Sequence, residues 1–538
     1  MGILQKLFSG SSVQKILASA AANYKHKKFT EAIAEYSRVI SADSKNIAAY
    51  YGRGLAAYYS NNFNDSYPDF LKVRNLDPLY SANTSYFLGK ISFFNRKFEE
   101  ALNYVQEYIS RSREKAEGFF LSAEIKYALK DYEGTLKECE KTLKIKPDKY
   151  QVLLLSALVK SEMGEDKKAL IDLDKAVEIN SGSASIYNLR GYVKYKMGDL
   201  EGAVKDLDSA IEIDHNFAEA YYHSALVLKK QEKFSDAVAQ LNNAVKNNAD
   251  YIDAYILRAE LRSGIDDIEG AVDDYEKLLE MQPENFELYL KNSKLRKKIS
   301  DFAGAKKNLT KALEINPKSY EAYYELSLVE EKLGNQGSAL ESLDKALGVN
   351  SDFEAALLRR GLIKLKTKNA REAIENFSKV IEKNPEYHKA YLYRAKAKEM
   401  LADNQGALTD YTKALLKKDF KEAFLNRANL HFRQGNFAAA VIDISKAIKI
   451  EPENPRYYLL KADMNKRLEK NMEAKDDLSK ALQINSGLAE AYYLRGFVYQ
   501  NMRNYKESLA DWNQAIKLNN KYAQKLATHI RSVKIKLG

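Results

Sequence analysis

Apolar and small residues along this chain recur in blocks of about 34, and inside each block they fall at helical rather than strand spacing. The stretch AEAYYLRGFVYQNMRNYKESLADWNQAI, which begins at Ala489, shows the unit. Stepping backwards from it, the pattern returns at 455, 421, 388, 354, 320, 286, 252, 218, 184, 150, 116, 82, 47 and 13. That gives fifteen repeats over 13–522. Large apolar residues at repeat position 4 share a face with positions 8 and 11, which predicts a first helix. Positions 20, 24 and 27 share a face of a second.

Two positions are restricted by size. Position 8 is Gly, Ala or Ser in all fifteen repeats, as at Ala20, Gly54, Gly191, Ser293, Gly361 and Gly496. Position 20 is Ala in twelve, with Ser66, Thr135 and Ser508 as the rest. Such sites are expected where two helices cross closely, because a larger side chain there would overpack at a cost of about 1–3 kcal/mol. Position 24 is apolar instead, as at Tyr36, Phe70, Leu207, Phe377 and Trp512.

The breakers agree with this division. Pro78, Pro147, Pro283, Pro317, Pro385 and Pro452 all occupy position 32, where they would stop the second helix. Pro455 follows Asn454, a good N-cap before a good first-turn residue. Pro68 is the misfit, inside a predicted second helix that it is expected to kink or shorten.

Large at 4, small at 8, Ala at 20, apolar at 24, Ala at 27 and Pro at 32 together resemble the tetratricopeptide repeat. The likeness covers 13–522, with local departures at Tyr108, Thr142, Arg113 and His215. It implies an all-α, right-handed superhelical solenoid of fifteen helix–turn–helix hairpins. Residues 523–538 keep the register for a capping helix with a basic outer face (Lys525, Arg531, Lys534, Lys536), and 1–12 are expected to be a tail or small cap.

A basic residue at position 7 accompanies Asp at position 23 in seven repeats: Arg53/Asp69, Arg190/Asp206, Arg258/Asp274, Arg394/Asp410, Arg427/Asp443, Lys461/Asp477 and Arg495/Asp511. The expected arrangement is an ion pair inside each hairpin. Asp172 and the Arg360/Asn376 repeat depart from the rule.

Composition narrows the function classes. Repeats and ends account for the whole chain and leave no room for a catalytic domain. The six histidines have no i, i+3 or i+4 pairing to bind a metal, and no glycine-rich phosphate loop is present. Cys139, the one cysteine, holds a core position and reads as a buried thiol. No cofactor is expected. Without an apolar span, a signal-peptide core or a myristoylation motif, the expectation is a cytoplasmic protein.

The resemblance places ligands in a concave groove lined by first helices, at positions 2, 5, 9, 12 and 13. In repeats 2–4 that stripe is aromatic, with Tyr51, Tyr58, Tyr86, Phe93, Phe120 and Tyr127. From repeat 6 onward position 13 becomes a basic ladder of Lys196, Lys230, Lys298, Lys332, Lys366, Arg433 and Arg467. Aromatic anchors beside a cationic rail suit an extended or helical segment with apolar and acidic residues. Charge is uneven as well: 201–350 carry 19 Lys and Arg against 28 Asp and Glu, whereas 351–538 carry 36 against 22. The expected function is therefore a non-enzymatic protein-binding adaptor or scaffold. The alternative is a helical-repeat RNA binder using the basic C-terminal half, opposed by the apolar position 5 and the acidic middle. The family's chaperone-tail clamp is not supplied, since Asn426 and Asn429 alone echo it.

Overall fold

A computed structural model describes residues 10–77, 82–112, 115–416 and 420–537 and folds them into 31 helices, with no strand among the described residues. Pro78, Arg113 and most of the expected tail at 1–12 lie outside the described residues. The chain divides into two compact units, Met1–Met281 and Gln282–Gly538. The first holds sixteen helices from Gly10–Lys25 to Ile268–Met281, and the second fifteen from Phe286–Lys298 to Lys521–Leu537. Within each unit, consecutive helices pack in hairpins that stack on their neighbours in chain order.

The small residues do what their size suggests. A Cβ on Gly54, Gly191, Gly361 or Gly496 would come within 3.0 Å of Phe70, Leu207, Phe377 or Trp512 respectively, so position 8 of the first helix lies against position 24 of the second. Where position 20 is serine, it adds a bond across the crossing: the hydroxyls of Ser66 and Ser508 donate to the carbonyls of Gly54 and Gly496 at 2.8 and 2.7 Å. Trp512, Tyr411, Phe70 and Phe377 are the largest fully buried side chains, and three of the four sit at these crossings.

Each hairpin turns through one residue in the left-handed region, at position 15 of the repeat. Gly164, Gly198, Gly334 and Gly435 fill it in four repeats, whereas eleven others place an L-residue there, among them Lys27, Asn61, Ser300 and Ala402, at φ near +60°. The strain of about 1 kcal/mol each is tolerated because both flanking helices fix the turn. Second helices end two residues before Pro147, Pro283, Pro317, Pro385 and Pro452, and Asn454 accepts the Arg456 amide at 3.2 Å ahead of Pro455.

Pro68 lies inside its helix without shortening it. Helix Phe63–Leu76 contains it and runs 14 residues, the same length as its neighbours Phe29–Ala42 and Phe98–Arg111, so it is not shortened. The proline falls in the second turn, where the carbonyl it leaves unbonded belongs to the exposed Asn64.

Candidate interaction surfaces

The position 7/23 pairs form, and they do more than close one hairpin. Arg394 Nε and Nη2 donate to the two oxygens of Asp410 at 2.8 Å each, and its Nη1 donates to Ser378 Oγ at 3.0 Å. Asp410 lies on the second helix of the same hairpin, and Ser378 at position 25 of the preceding one. The same three-way bridge links Arg53 to Asp69 and Ser37, Arg190 to Asp206 and Asp174, Arg258 to Asp274 and Asn242, Arg427 to Asp443 and Thr412, and Arg495 to Asp511 and Ser479. Lys461 Nζ reaches Asp477 at 2.9 Å.

The two exceptions have physical explanations. Asp172 accepts Ser156 Oγ at 2.7 Å and takes its charge partner from Lys160, four residues further along the first helix, at 2.6 Å. Arg360 donates to Asn376 at 2.8 Å and finds its counter-charge in Asp344 of the preceding hairpin. The arginine row is thus structural, tying successive hairpins together.

The aromatic stripe in the first unit is half packing and half surface. Tyr58 meets Phe87, Tyr59 and Phe63 at ring-centroid distances of 4.9, 5.3 and 5.4 Å, and Phe63 meets Phe94 at 4.8 Å. Tyr51 packs edge-on to Phe70, Tyr86 lies against Tyr108, and Phe93 against Phe98. Phe120 carries the Lys149 ammonium 4.4 Å above its ring, and the Tyr127 hydroxyl donates to Glu162 at 2.6 Å. Burial raises the phenols of Tyr58, Tyr86 and Tyr127 above their ordinary range. All six predicted residues are only partly exposed, yet beside them Tyr59 is 52% and Phe94 68% exposed. Both open rings stand at position 13, where later repeats carry cations.

Four of the seven ladder cations are engaged by the preceding hairpin. Lys196 pairs with Asp166 at 2.9 Å and donates to the Ser161 carbonyl at 2.7 Å. Arg433 pairs with Glu399. Lys230 and Arg467 lie 5.3 and 5.9 Å from the ring centroids of Tyr195 and Phe432. Lys298, Lys332 and Lys366 are exposed, and the described residues supply no partner for them. This sorting was not legible in the sequence, because it depends on residues of the preceding repeat that vary from one repeat to the next: Asp166 at position 17 for Lys196, and Tyr195, Glu399 and Phe432 at position 12 for the others.

Buried Cys139 and partly buried His223 bear on chemistry. Cys139 is buried, and burial pushes its thiol up to about 12, which suits packing rather than nucleophilic attack. His223 stacks on Tyr192 at 4.4 Å with Nδ1 2.7 Å from Asn188 Oδ1, and burial lowers it to about 4. Among the described residues no cluster of His, Cys, Asp or Glu is placed to hold a metal ion, and no described helix is long and apolar enough to cross a membrane.

Stacked hairpins of similar length, small residues at each crossing and arginine bridges between neighbours define a helical-repeat protein. Family comparison makes the class specific. Residues 191–232 match the family described as TPR repeat, and 252–285, 290–355, 355–387, 400–455 and 489–522 match families described as tetratricopeptide repeat. The chain belongs to the tetratricopeptide-repeat family, a fold that serves generally as a non-enzymatic scaffold for protein interaction. No curated protein sequence matches it. Among solved structures it is similar to MamA at 27% identity, over 30% of this chain and 90% of that one, with a TM-score of 0.29. It is similar also to YrrB, described as a TPR protein with an unusual peptide-binding site, at 22% identity over 34% and 95% of the two chains and a TM-score of 0.31. Yeast Tom70 aligns at 19% identity over 85% and 96%, with a TM-score of 0.30.

Proposed function

We propose that this chain is an adaptor or scaffold that holds protein partners along its first-helix face and catalyses nothing itself. In this reading 13–522 act as fifteen repeats, 523–538 as a terminal cap, and 1–12 as a tail. The observation that carries it is the open aromatic edge of the first unit. Tyr59 and Phe94 expose most of their rings beside half-buried Tyr58, Phe63 and Phe87. Monomeric proteins seldom leave contiguous large aromatics in water, and such rings are favoured anchors at interfaces.

Tyr51, Tyr58, Tyr86, Phe93, Phe120 and Tyr127 would form the apolar floor of that surface. The cations at position 13 would form a rail that favours acidic residues in the partner. A cytoplasmic setting belongs to the same reading, supported by a single cysteine that is buried and unpaired. Hydrogen exchange on the full chain, free and with a captured partner, tests the surface. Protection concentrated in first helices such as Ile47–Tyr59 and Ala82–Phe94 is the expected result. Protection confined to second helices, on the opposite side of the hairpins, would reject it.

A further inference from the structure

We infer that the second unit carries a separate docking edge for an acidic protein segment, built from the C-terminal ends of the first helices of repeats 9–12. Helices Phe286–Lys298, Tyr320–Lys332 and Glu354–Lys366 each end on one of the three unpartnered lysines. Their common place at the end of equivalent helices sets them along one edge of the stack. The contacts of Arg433 with Glu399 and of Arg467 with Phe432 confirm the register, since each reaches the neighbouring position of the preceding hairpin.

For two of the three, the reason they remain free is local. Opposite Lys332 the preceding hairpin offers Lys297, itself a cation and already paired with Glu325. Opposite Lys366 it offers Glu331, which Arg359 holds through both Nε and Nη2. Two acids in the adjoining turns are engaged too. Asp301 accepts the Gly304 amide at 2.9 Å and pairs with Arg296, and Asp403 accepts the Gly406 amide at 2.9 Å. Three ammonium groups therefore stand in water with no counter-charge from the described residues. Lys368 in the adjoining turn, also exposed, adds a fourth.

Exposed aliphatic side chains interleave with them. Ile299 and Leu333 directly follow Lys298 and Lys332, and Met400 and Leu401 close the row. Unneutralised cations alternating with exposed apolar groups fit a segment in which carboxylates alternate with aliphatic or aromatic residues. This inference rests on the scaffold reading but concerns the lysines of the second unit, not the aromatic rings of the first.

The test uses the full chain and a fluorescein-labelled peptide of repeating Glu-Glu-Leu, with phosphatidylserine vesicles and single-stranded RNA as parallel probes. The peptide is expected to bind the wild type and to weaken with added salt. Binding should fall by about tenfold or more in Lys298→Glu/Lys332→Glu/Lys366→Glu, whose side chains make no hydrogen bond or ion pair with the described residues. It should fall in Leu333→Ser/Met400→Ser and stay unchanged in Lys446→Glu, an exposed lysine on the second helix Phe437–Ile450. Circular dichroism of each variant establishes that the fold is kept. Equal binding by the triple variant overturns the inference. If that binding is instead lost in Tyr59→Ser/Phe94→Ser, the scaffold reading survives through its aromatic surface. Vesicle or RNA binding that the triple variant loses, with none to the peptide, also overturns the inference in favour of a lipid or nucleic-acid partner.

Discussion

Gly496 makes the packing account quantitative. An alanine Cβ at this site would sit 2.4 Å from both Cδ1 and Nε1 of Trp512 and 3.0 Å from Cγ. The indole has nowhere to retreat. It is fully buried, packs on Phe497 at 5.1 Å and His529 at 5.9 Å, and donates from Nε1 to the Tyr493 carbonyl at 3.3 Å. Relieving the overlap needs a shift on the order of an ångström in a packed core, which costs about 1–3 kcal/mol. Replacing a mid-helix glycine by alanine returns about 0.5–1 kcal/mol of helix propensity. The net expectation for Gly496→Ala is a loss of about 1–2 kcal/mol.

Gly348 supplies the control. It lies in helix Gln336–Val349, and a Cβ added there would meet nothing within 4 Å, so Gly348→Ala should gain about 0.5 kcal/mol. Trp512 is the sole tryptophan and reports the last hairpin directly. Urea titration followed by its emission should show an earlier transition for Gly496→Ala, and ellipticity at 222 nm should show a later one for Gly348→Ala. Stabilisation by both substitutions would refute the claim that position 8 is small because the helices touch there.

Four further outcomes follow from the structure. Asp410→Ala leaves Arg394 and Lys398, both 2.8 Å from its carboxylate, without a counter-charge, and should cost about 2–4 kcal/mol. Ser378→Ala removes one neutral acceptor from the same bridge and should cost about 0.5–1 kcal/mol, both read from hydrogen exchange in helix His388–Met400. Ala402 holds φ of 61° with no side-chain reason to do so, and Ala402→Gly should raise the urea midpoint by an amount worth up to about 1 kcal/mol. His223 titrates near 4 when folded and near its ordinary 6.5 when unfolded, so the unfolded chain binds the proton first on acidification. Stability should accordingly decline as pH falls from 6.5 towards 4, by on the order of 3 kcal/mol, and His223→Gln should flatten that part of the profile.

Much of the architecture is legible in the sequence because size and spacing are unambiguous. Ala or Gly every 34 residues opposite Phe, Leu or Trp leaves little freedom in how the two helices cross. The Arg and Asp of positions 7 and 23 were readable for the same reason, since both lie within one repeat. Contacts between repeats were harder to see. The third bond of Arg394 goes to Ser378, and in other repeats a serine, threonine, asparagine or aspartate serves equally, so no residue type marks position 25. Position 15 hid its left-handed turn because Lys, Asn, Ser and Ala fill it as readily as glycine. The basic ladder looked uniform along the chain, but Lys196 is spent on Asp166 and Ser161, whereas Lys366 faces an acid that Arg359 already holds. The division at Met281 carries no composition change that would announce it.

The central claim is that the chain works by holding another protein. The most direct measurement is capture of the full chain from native extract, with and without nuclease, comparing wild type with Tyr59→Ser/Phe94→Ser. The account predicts a stoichiometric protein partner that survives nuclease and is lost or reduced in the variant. Recovery of nucleic acid that nuclease removes, with no protein retained and no difference between the two chains, would contradict it.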